Sequence, residues 1–384
     1  MRLGFDLRPF LRRETGVGTY LRNLLVELAR LDRDNEYFLF SASWKDRFPS
    51  GQVPPFARAR FIDRRIPVRA LNLAWQRWGF PSFDRLVGAR MDLVHSATPL
   101  VLPTDGKKII TVHDLFFMDS PSMAGKEAGG VFSRRAAGSF RRCDGIITFS
   151  SFTRGELAAR FDVRPEKVRV IPHGVNRRFL EDIPAAGLEA FRAARGLPES
   201  FLLFVGAQEP RKNLPRLVEA LKIVHLHGNR IPLVLAGPPG GDTETVLAAA
   251  ARLGLGEWLT MTGYLPADDL PKLYRLATAL VFPSLYEGFG LPLLEAMAAG
   301  LPVAAAMNSA IPEVGADAAV YFPAEDPEAM AGKIRLLLDD AGLRDELSRR
   351  GRKRALDFSW EKSAAATLKF YLETGGSRVI RNPR

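Results

Sequence analysis

The 384-residue sequence has little cysteine and lacks long apolar runs, and each shortage excludes a class of protein. Its one cysteine, Cys143, excludes an intramolecular disulfide and a metal cluster held by several thiolates. No run of about 18 uncharged apolar residues that could span a bilayer occurs. The chain starts at Met1 without a charged leader and apolar stretch, so no secretory signal is expected. These features predict a cytoplasmic protein.

Acidic residues are scarce in the first half of the chain. Residues 1–178 carry 31 Lys and Arg against 18 Asp and Glu, a net charge of +13, whereas the remainder has a net charge of −2. This asymmetry indicates that the N-terminal half meets a polyanion, which could be nucleic acid, an anionic membrane face or a phosphorylated substrate. With 47% hydrophobic and 25% charged residues, the composition is globular, and the length suits two domains.

Short apolar runs alternate with helical patterns along the chain. The first half has β-like runs at residues 2–7, 37–40, 92–95, 108–112, 145–149 and 168–171, with helical patterns at 19–31 and 151–160. The second half has predicted strands at 201–205, 232–236, 259–262, 279–282 and 303–306, with helices at 214–227, 243–253, 268–276 and 292–299. Strands that alternate with helices predict an α/β fold of two Rossmann-like, doubly wound parallel sheets.

Proline and glycine mark the predicted domain boundaries. Residues 176–198 lack β character and contain Pro184, Gly187 and Pro198, so the linker is placed there. Ser359 is a suitable N-cap for a last helix over residues 360–374. The predicted divisions are 1–178, 179–358 and 359–384. Ligands bind at the carboxyl ends of parallel strands, so two facing sheets would create a cleft.

Two features of the first half lie where a ligand could bind. Gly16, Val17 and Gly18 precede a helix, where backbone amides can hold a diphosphate, although Leu21 stands where a dinucleotide fingerprint needs a third glycine. A turn that only shapes the loop is equally consistent. His113 follows the strand at 108–112 and could donate a hydrogen bond to a substrate hydroxyl, or could be purely structural.

Arg211 and Lys212 follow the strand at 201–205 and Gly206. Arginine offers a planar fork and lysine a point charge, which together suit a diphosphate. The alternative is a solvated surface pair. The position of these cations after a strand and a glycine favours a binding function.

The most specific pattern is a pair of glutamates eight residues apart, with Glu287 before a glycine-rich turn and Glu295 in the helix that begins near Pro292. The turn consists of Gly288, Phe289, Gly290 and Leu291. Its amides can bind phosphate, while carboxylates accept hydrogen bonds from paired hydroxyls. This combination suits a sugar nucleotide, whereas an ordinary loop and helix would leave Glu287 and both glycines unexplained.

In their order and spacing, these elements resemble the retaining glycosyltransferases of family 4, which have the two-domain GT-B fold. The resemblance covers nearly the whole chain, and bacterial polysaccharide mannosyltransferases are the most similar members. It implies transfer of a sugar from a nucleotide sugar to an acceptor hydroxyl with retention of anomeric configuration. It also implies that the two Rossmann-like domains face across a cleft and that the last helix crosses back to the N-terminal domain.

The resemblance further implies roles for individual residues. Arg211, Lys212 and the first glycine turn would hold the diphosphate, Glu287 and His113 would contact the sugar, Glu295 the ribose, and Tyr264 the base. The implied donor-binding positions are Gly16, Val17, Gly18, Gly206, Arg211, Lys212, Gly263, Tyr264, Glu287, Gly288, Phe289, Gly290, Leu291 and Glu295. The implied catalytic residues are His113, Arg211, Lys212 and Glu287.

No metal or cofactor is expected, because the cations and helix N-termini can stabilise the leaving nucleoside diphosphate. Asp32 and Asp34 match the short acidic motif of metal-dependent glycosyltransferases with another fold. They follow the first helix and are interpreted as a solvated turn.

The acceptor is predicted from basic and aromatic residues, chiefly Arg65, Arg69, Trp75 and Trp78. Such side chains suit an interfacial helix on an anionic membrane, although a buried helix is equally consistent. The hypothesis is a saccharide or lipid-linked saccharide acceptor, with peripheral contact to the inner face of the cytoplasmic membrane.

Alternatives remain open at this point. A nucleic-acid binder would explain the charge, but no recognised module is present and Glu287 would have no function. A non-catalytic nucleotide-sugar binder would keep Arg211 and Glu295. A glycogen-synthase-like polymerase would need a lysine-bearing glycine loop where Gly16 to Gly18 stand. GDP-mannose is the first choice of donor, and UDP-glucose or UDP-N-acetylglucosamine is the second.

Overall fold

A computed structural model describes residues 1–11, 16–46, 48, 53–119 and 130–376 of the chain. The chain divides into two compact units. The first consists of Met1–Gly174 with Trp360–Arg384, and the second of Val175–Ser359. The predicted tail at 377–384 lies outside the described residues. Each described unit is an α/β structure.

The first unit is built on a parallel sheet with the strand order β3-β2-β1-β4-β5-β6-β7. Its strands are β1 (Arg2–Asp6), β2 (Glu36–Ala42), β3 (Ala59–Arg64), β4 (Leu93–Ser96), β5 (Lys107–Val112), β6 (Gly145–Thr148) and β7 (Val168–Val170). The helices between them are α1 (Gly16–Leu31), α2 (Val68–Arg77), α3 (Phe83–Val87), α4 (Phe116–Asp119), α5 (Gly130–Arg142) and α6 (Ser151–Phe161). The central strands are buried throughout, as expected of a parallel sheet covered on both faces.

Strand β3 was not predicted, because its sequence lacks a clear apolar pattern. It lies at the edge of the sheet and pairs in parallel with β2. Charged residues such as Arg60 are compatible with an edge strand. The Arg60 guanidinium pairs with the Glu36 carboxylate of β2 at 3.0 Å.

The second unit repeats this architecture with the strand order β10-β9-β8-β11-β12-β13, again with all pairs parallel. Its strands are β8 (Leu202–Val205), β9 (Leu233–Ala236), β10 (Leu259–Gly263), β11 (Ala279–Phe282), β12 (Val303–Ala306) and β13 (Val320–Phe322). Its helices are α7 (Ala185–Arg195), α8 (Leu214–Leu226), α9 (Thr243–Arg252), α10 (Leu270–Leu276), α11 (Leu291–Ala299), α12 (Ile311–Gly315), α13 (Pro327–Asp339) and α14 (Ala341–Ala355). The two predicted Rossmann-like sheets are therefore present.

Helix α7 lies within residues 176–198, where the linker was placed, and the chain passes from the first unit to the second at Gly174 and Val175. Pro184 is the N-cap of this helix, and Gly196 ends it in the left-handed conformation with φ of 60°. Of the residues that suggested a linker, Pro184 begins this helix and Gly187 lies inside it. Between β12 and Ser359 the sequence analysis also identified none of the elements α12, β13, α13 and α14.

The last helix, α15 (Trp360–Gly375), belongs to the first unit and packs against α1. Its Phe370 ring lies over Gly145, where a Cβ would meet the ring at 2.6 Å. The predicted return of the last helix to the N-terminal domain is confirmed. Across the described part of the chain, none of the helices combines the length and the apolar character needed to cross a membrane.

The order of strands reverses between β1 and β4 in the first sheet and between β8 and β11 in the second. At such a switch point the loops that follow the two strands turn to opposite faces of the sheet and leave a crevice for ligands. The loops after β8 and β11 therefore carry the strongest candidate residues of the second unit.

Candidate functional site

Two loops meet at the switch point of the second unit. The loop after β8 ends in a short 3-10 turn, Pro210–Lys212, and the Leu285 amide of the other loop donates to the Arg211 carbonyl at 2.8 Å. Asn213, with φ of 59°, donates from its side-chain amide to the Pro283 carbonyl at 3.1 Å and to the Ala324 carbonyl at 2.7 Å. These bonds hold the cation-bearing turn against the glutamate-bearing loop.

Glu287 lies between two cations in this loop pair. The Lys212 ammonium donates to Glu287 Oε1 at 2.5 Å, and the Arg211 guanidinium donates to Oε2 at 3.1 Å. Arg211 also pairs with Glu209 at 2.9 Å, and the Glu287 amide donates to the Ser309 hydroxyl at 3.0 Å. The predicted catalytic residues Arg211, Lys212 and Glu287 are thus brought together as one ionic cluster.

Burial and charge together set the ionisation of this cluster. Lys212 and Glu287 are both buried. Burial alone would raise the pKa of the Glu287 carboxyl, but the positive charges of Lys212 and Arg211 lower it below its usual range. Burial lowers the pKa of Lys212, and attraction to Glu287 opposes that shift. Glu287 is therefore ionised at neutral pH and has both oxygens engaged.

The glycine-rich turn leads directly from Glu287 into α11. Gly290 has φ of 107°, a conformation that glycine adopts without strain, and forms the N-cap of the helix. Phe289 is buried, and its ring meets that of Phe358 edge-on at 5.8 Å. The backbone from Gly288 to Leu291 consequently has a fixed course beside Glu287, with the positive end of a nine-residue helix next to it.

Glu295 lies one turn further along α11. It accepts a hydrogen bond at Oε2 from the Tyr274 hydroxyl of α10 at 3.0 Å. Burial raises the pKa of Glu295 to about 7, while the Tyr274 bond and the positive charge of Arg178 limit the rise. Glu295 therefore differs from Glu287, because it lies near its titration point at neutral pH.

Glycines extend the carboxyl edge of the second sheet. The Gly206 amide donates to the Ala236 carbonyl at 2.8 Å, and the Gly237 amide donates to the Gly263 carbonyl at 2.9 Å. A Cβ on Gly237 would lie 2.1 Å from the Gly206 carbonyl oxygen, so only glycine fits there. Tyr264 follows at the β10 end and is 51% exposed. Because β10 is three strands from β11, the edge between Tyr264 and Glu287 spans about 14 Å.

His113 of the first unit follows β5 and is held by a backbone hydrogen bond. Its Nε2 lies 3.0 Å from the Ala97 carbonyl, and burial lowers its pKa to about 4. The ring is therefore neutral at pH 7, and only a protonated Nε2 can donate to that carbonyl. The predicted donation to a substrate hydroxyl is consequently wrong for this nitrogen. The remaining nitrogen, Nδ1, can accept a hydrogen bond instead.

Aromatic rings surround His113. Tyr20 meets it edge-on at 5.4 Å, and Phe149 lies 5.0 Å away between ring centroids. Phe149 stacks in turn on His173 at 3.7 Å, and Trp360 of the last helix meets His173 edge-on at 5.4 Å. These contacts fix the His113 ring and give His173 a structural role.

A second histidine, His95, connects the last helix to the same sheet. Its Nδ1 bonds to the Tyr371 hydroxyl at 2.6 Å, and its Nε2 bonds to the Thr111 hydroxyl at 2.7 Å. Burial lowers the pKa of His95 to about 3. The sequence offered no signal for this network, because its members come from β4, β5 and α15.

Gly16, Val17 and Gly18 form the first turn of α1. Residues 12–15, which precede them in the predicted glycine loop, lie outside the described residues. Gly16 is exposed, and a Cβ on it would meet none of the described residues within 4 Å.

The interpretation of Asp32 as a solvated residue was wrong. Asp32 is buried, and its carboxylate accepts from the Tyr37 hydroxyl at 2.6 Å and from the Asn35 side-chain amide at 2.7 Å. It therefore stabilises the turn between α1 and β2, whereas Asp34 is exposed. Among the described residues, no group of three or more His, Cys, Asp or Glu side chains could hold a metal ion.

The basic and aromatic residues of α2 do not form one face. Trp75 packs on Phe40, donates to the Pro81 carbonyl at 2.7 Å and lies under the Arg8 guanidinium at 4.5 Å. Trp78, in contrast, is 68% exposed. Of these two tryptophans, only Trp78 is therefore exposed enough to contact a partner. Arg65 and Arg69 are exposed as well.

Three residues that the sequence analysis missed complete the second unit's site. Ser309 supports the Glu287 backbone, Tyr274 holds Glu295, and Gln208 is buried in the loop after β8. None belongs to a recognisable motif, so only the folded structure could identify them.

Family comparisons cover both units. The family model for Glycosyltransferase Family 4 matches residues 15–179, and the model for Glycosyl transferases group 1 matches residues 189–354. The O-antigen chain mannosyltransferase B of Escherichia coli is 28% identical, over 97% of this chain and 99% of the relative. A D-inositol 3-phosphate glycosyltransferase of Streptomyces bingchenggensis (strain BCW-1) is 34% identical, over 96% and 87%.

Solved structures share the same architecture. Sucrose-phosphate synthase from Thermosynechococcus elongatus has a TM-score of 0.77 at 21% identity, over 97% of this chain and 98% of that chain. Anabaena HepE, solved in complex with UDP-glucose, has a TM-score of 0.73 at 16% identity, over 96% and 100%. At these identities the likeness extends to the fold alone.

Proposed function

Since the chain belongs to glycosyltransferase family 4 and has the GT-B fold, we propose that it transfers a sugar from a nucleotide sugar to an acceptor hydroxyl with retention of configuration. The observation that carries the proposal is the buried ionic cluster of Glu287 with Lys212 and Arg211 at the switch point of the second sheet. Such a cluster offers cations to a diphosphate and a carboxylate to sugar hydroxyls within one site.

In this proposal the cluster changes its partners when a diphosphate arrives. Arg211 and Lys212 face Glu209 and Glu287 in this cluster. The negative charge of a bound diphosphate therefore displaces one of the two carboxylates. Glu209 is 44% exposed, and its pairing with Arg211 contributes at most about 1 kcal/mol, as is typical of surface pairs. Arg211 therefore exchanges Glu209 for phosphate at low cost, while Lys212 keeps Glu287 ionised. The start of α11 adds amides that bind anions.

The remaining donor contacts follow from the positions along the sheet edge. Glu295 accepts from ribose hydroxyls, and Gly263 and Tyr264 lie at the base. In the first unit, Gly16 to Gly18 contribute amides to the diphosphate, and Nδ1 of His113 accepts from a hydroxyl of the transferred sugar. Gly206 lets the chain turn between the diphosphate and nucleoside positions.

Retention of the anomeric configuration is consistent with the ionised, hydrogen-bonded state of Glu287. Both of its oxygens take charge-assisted bonds and its pKa is lowered, so it is a poor nucleophile for a covalent glycosyl intermediate. We therefore favour departure of the nucleoside diphosphate and attack of the acceptor on the same face of the sugar. The charge that develops on the leaving group is met by Arg211, Lys212 and the α11 N-terminus, without a metal or a cofactor. Full activity in excess chelator is the expected result.

The first-choice donor is GDP-mannose, because the Escherichia coli relative that spans the whole chain is named a mannosyltransferase. UDP-glucose, the ligand in the HepE structure, and UDP-N-acetylglucosamine are the alternatives. A thermal-shift panel of nucleoside diphosphates, followed by hydrolysis assays with the matching nucleotide sugars, tests the donor. NMR of the product anomer tests retention. A panel without stabilisation or hydrolysis by any nucleotide sugar would contradict the proposed function.

We infer that the acceptor is a saccharide or lipid-linked saccharide of a surface polysaccharide, reached at the cytoplasmic membrane face. The name of the Escherichia coli relative refers to an O-antigen chain. On this chain, residues 64–83 contain no acidic side chain, and the exposed residues there include Arg65, Arg69, Leu73 and Trp78. Exposed aromatic and cationic side chains favour an anionic interface over nucleic acid, since no base-reading module is present.

Vesicle sedimentation at low salt tests this surface. The wild type should pellet with anionic vesicles, and Trp78→Ala combined with Arg69→Ser should pellet several-fold less, because each arginine near such a surface contributes about 1 kcal/mol. Trp258→Ala, in the second unit, is the matched control. Equal pelleting of wild type and the double variant would remove the membrane from the proposal.

A further inference from the structure

Tyr274 and Glu295 face each other from the neighbouring helices α10 and α11. Tyr274 is fully buried, and its ring is fixed by an edge contact with Phe179 at 5.7 Å between centroids. Its hydroxyl donates to Glu295 Oε2 at 3.0 Å. The hydroxyl thus engages one carboxylate oxygen, and Oε1 is the oxygen that remains for a ligand.

Few charges act on Glu295 from the surrounding elements. From the 3-10 turn Arg177–Phe179, Arg178 contributes a positive charge, which is shared with Asp268 through a 2.6 Å ion pair. Helix α14 also packs on α11, but it does so through Gly351 against Met297, and its Arg352 lies at Gly300, beyond the end of α11. From α10 the polar contact with Glu295 is the Tyr274 hydroxyl, while Lys272 and Arg275 of the same helix pair with Asp269 and Asp182. Helix α12, which also packs on α11, carries Glu313.

This environment leaves Glu295 only partly ionised at neutral pH. Burial raises its pKa to about 7, against an ordinary value of 4.5. A hydroxyl donor binds a carboxylate more strongly than a carboxylic acid, because charge-assisted hydrogen bonds are the stronger ones. A ligand that presents hydroxyls to Oε1 therefore binds the ionised form in preference.

We propose that Tyr274 is a positioning residue for nucleotide binding, and that the docking of ribose hydroxyls on Glu295 expels a proton from that carboxyl to solvent. The inference rests on the proposed function, in which Glu295 receives the ribose. In the bound state Tyr274 donates to Oε2 and a ribose hydroxyl donates to Oε1. Affinity for the nucleotide sugar then rises with pH across neutrality.

Isothermal titration calorimetry between pH 6 and pH 8 tests this coupling. The probe is intact GDP-mannose without acceptor, with UDP-glucose as the second probe, because the terminal phosphate of a nucleoside diphosphate would itself titrate at about pH 6. A carboxyl with a pKa of about 7 is about one tenth ionised at pH 6 and about nine tenths at pH 8. Binding should therefore tighten about tenfold, and buffers of different ionisation enthalpy should give different apparent enthalpies at pH 6.

Tyr274→Phe separates positioning from simple packing. Without the hydroxyl, the pKa of Glu295 rises further, so the pH midpoint of binding should move upward and the affinity lost at pH 7 should return above pH 8. Tyr321→Phe is the matched control, because the Tyr321 hydroxyl donates to the Ala316 carbonyl instead. Glu295→Gln should bind weakly and independently of pH.

The outcomes distinguish failure of the proton release or of the positioning role from failure of the proposed function. Wild-type affinity that does not change from pH 6 to pH 8 contradicts the proton release. A Tyr274→Phe variant that is weaker at every pH with an unmoved midpoint contradicts the positioning role. If neither nucleotide sugar binds at any pH, the proposed function itself is overturned.

Discussion

The candidate residues of the two units differ in ionisation. Those of the second unit are ionised and paired, whereas those of the first are neutral. In the second unit, Arg211, Lys212 and Glu287 are in direct ionic contact. In the first, the buried His95 and the half-buried His113 are neutral, although this half of the chain carries the whole positive excess. Exposed residues such as Arg65 account for that excess. Net charge therefore describes the surface of a unit, whereas its candidate chemistry depends on how buried groups are paired.

Burial explains both states. A buried lysine needs a carboxylate partner, because an uncompensated charge in a protein interior costs several kcal/mol. A buried imidazole can instead lose its proton at neutral pH and keep its hydrogen bonds, as His95 does with Tyr371 and Thr111. The second unit thus contains paired charges that can bind a ligand, and the first unit contains neutral hydrogen-bond acceptors and aromatic rings.

The largest expected effect comes from breaking the ionic cluster. Glu287→Ala leaves Lys212 buried without a partner, so the free energy of unfolding should fall by about 3–5 kcal/mol. Turnover should fall at least about a hundredfold, as for other lost transition-state contacts. Denaturant unfolding and a sugar-transfer assay measure the two effects.

A double variant separates stability from catalysis. Lys212→Met with Glu287→Gln removes both charges and should recover much of the stability while turnover stays low. Glu209→Ala, which alters the exposed partner of Arg211, should cost at most about 1 kcal/mol. Near-wild-type turnover in the folded double variant would show that the charges of Lys212 and Glu287 are not required for the reaction.

An intermediate effect is expected from pH, with opposite signs in the two units. Unfolded histidine binds a proton below about pH 6.5, but folded His113 does so only near pH 4, so acid should destabilise the first unit. Unfolded glutamate ionises above 4.5, but folded Glu295 does so only near 7, so rising pH should destabilise the second unit. Each pKa shift changes the free energy of unfolding by at most about 3.4 kcal/mol.

Hydrogen exchange with mass spectrometry, corrected for intrinsic exchange rates, can follow each unit between pH 4.5 and pH 7.5. Protection of the first sheet should increase with pH, and protection around α11 should decrease. Glu295→Gln should abolish only the second trend. Parallel pH dependence in both units would contradict the contrast between them.

The smallest effect is expected at His113. His113→Ala removes one hydrogen bond to the sugar, worth about 0.5–1.5 kcal/mol, so turnover should fall about two- to tenfold. Binding of the nucleoside diphosphate alone should not change, because it lacks the sugar. His113→Asn, which keeps both a donor for Ala97 and an acceptor, should recover part of the activity. An equal loss of nucleotide affinity in His113→Ala would place the residue elsewhere in the mechanism.

Much of the fold could be predicted because parallel strands are continuous apolar runs bounded by turns. The prediction failed where that signal is weak. Strand β3 is charged and lies at an edge, and α7 was missed because Pro184, Gly187 and Pro198 were taken to mark a linker. Proline and glycine residues do not by themselves distinguish the end of a helix or strand from a segment that contains neither.

The site could be predicted only as a set of residues. Motif spacing identified Arg211, Lys212 and Glu287, but it could not show that both cations contact one carboxylate. Lys212 and Glu287 are 75 residues apart and meet because β8 and β11 are neighbours in the sheet. Tyr274 carries no motif, and the His113 ring was assigned the wrong hydrogen-bonding role because the Ala97 contact is not visible in the sequence.

Cys143 offers an experimental handle on the second unit. The thiol is buried, and burial raises its pKa to about 11, so it should react slowly with thiol reagents at neutral pH. A cysteine introduced at exposed Tyr264 could then be labelled selectively with a fluorophore, without removing the native one. Because the Cys143 thiol is nearly unreactive, the fluorescence would come from position 264 and would report the binding of a ligand at this edge of the second sheet.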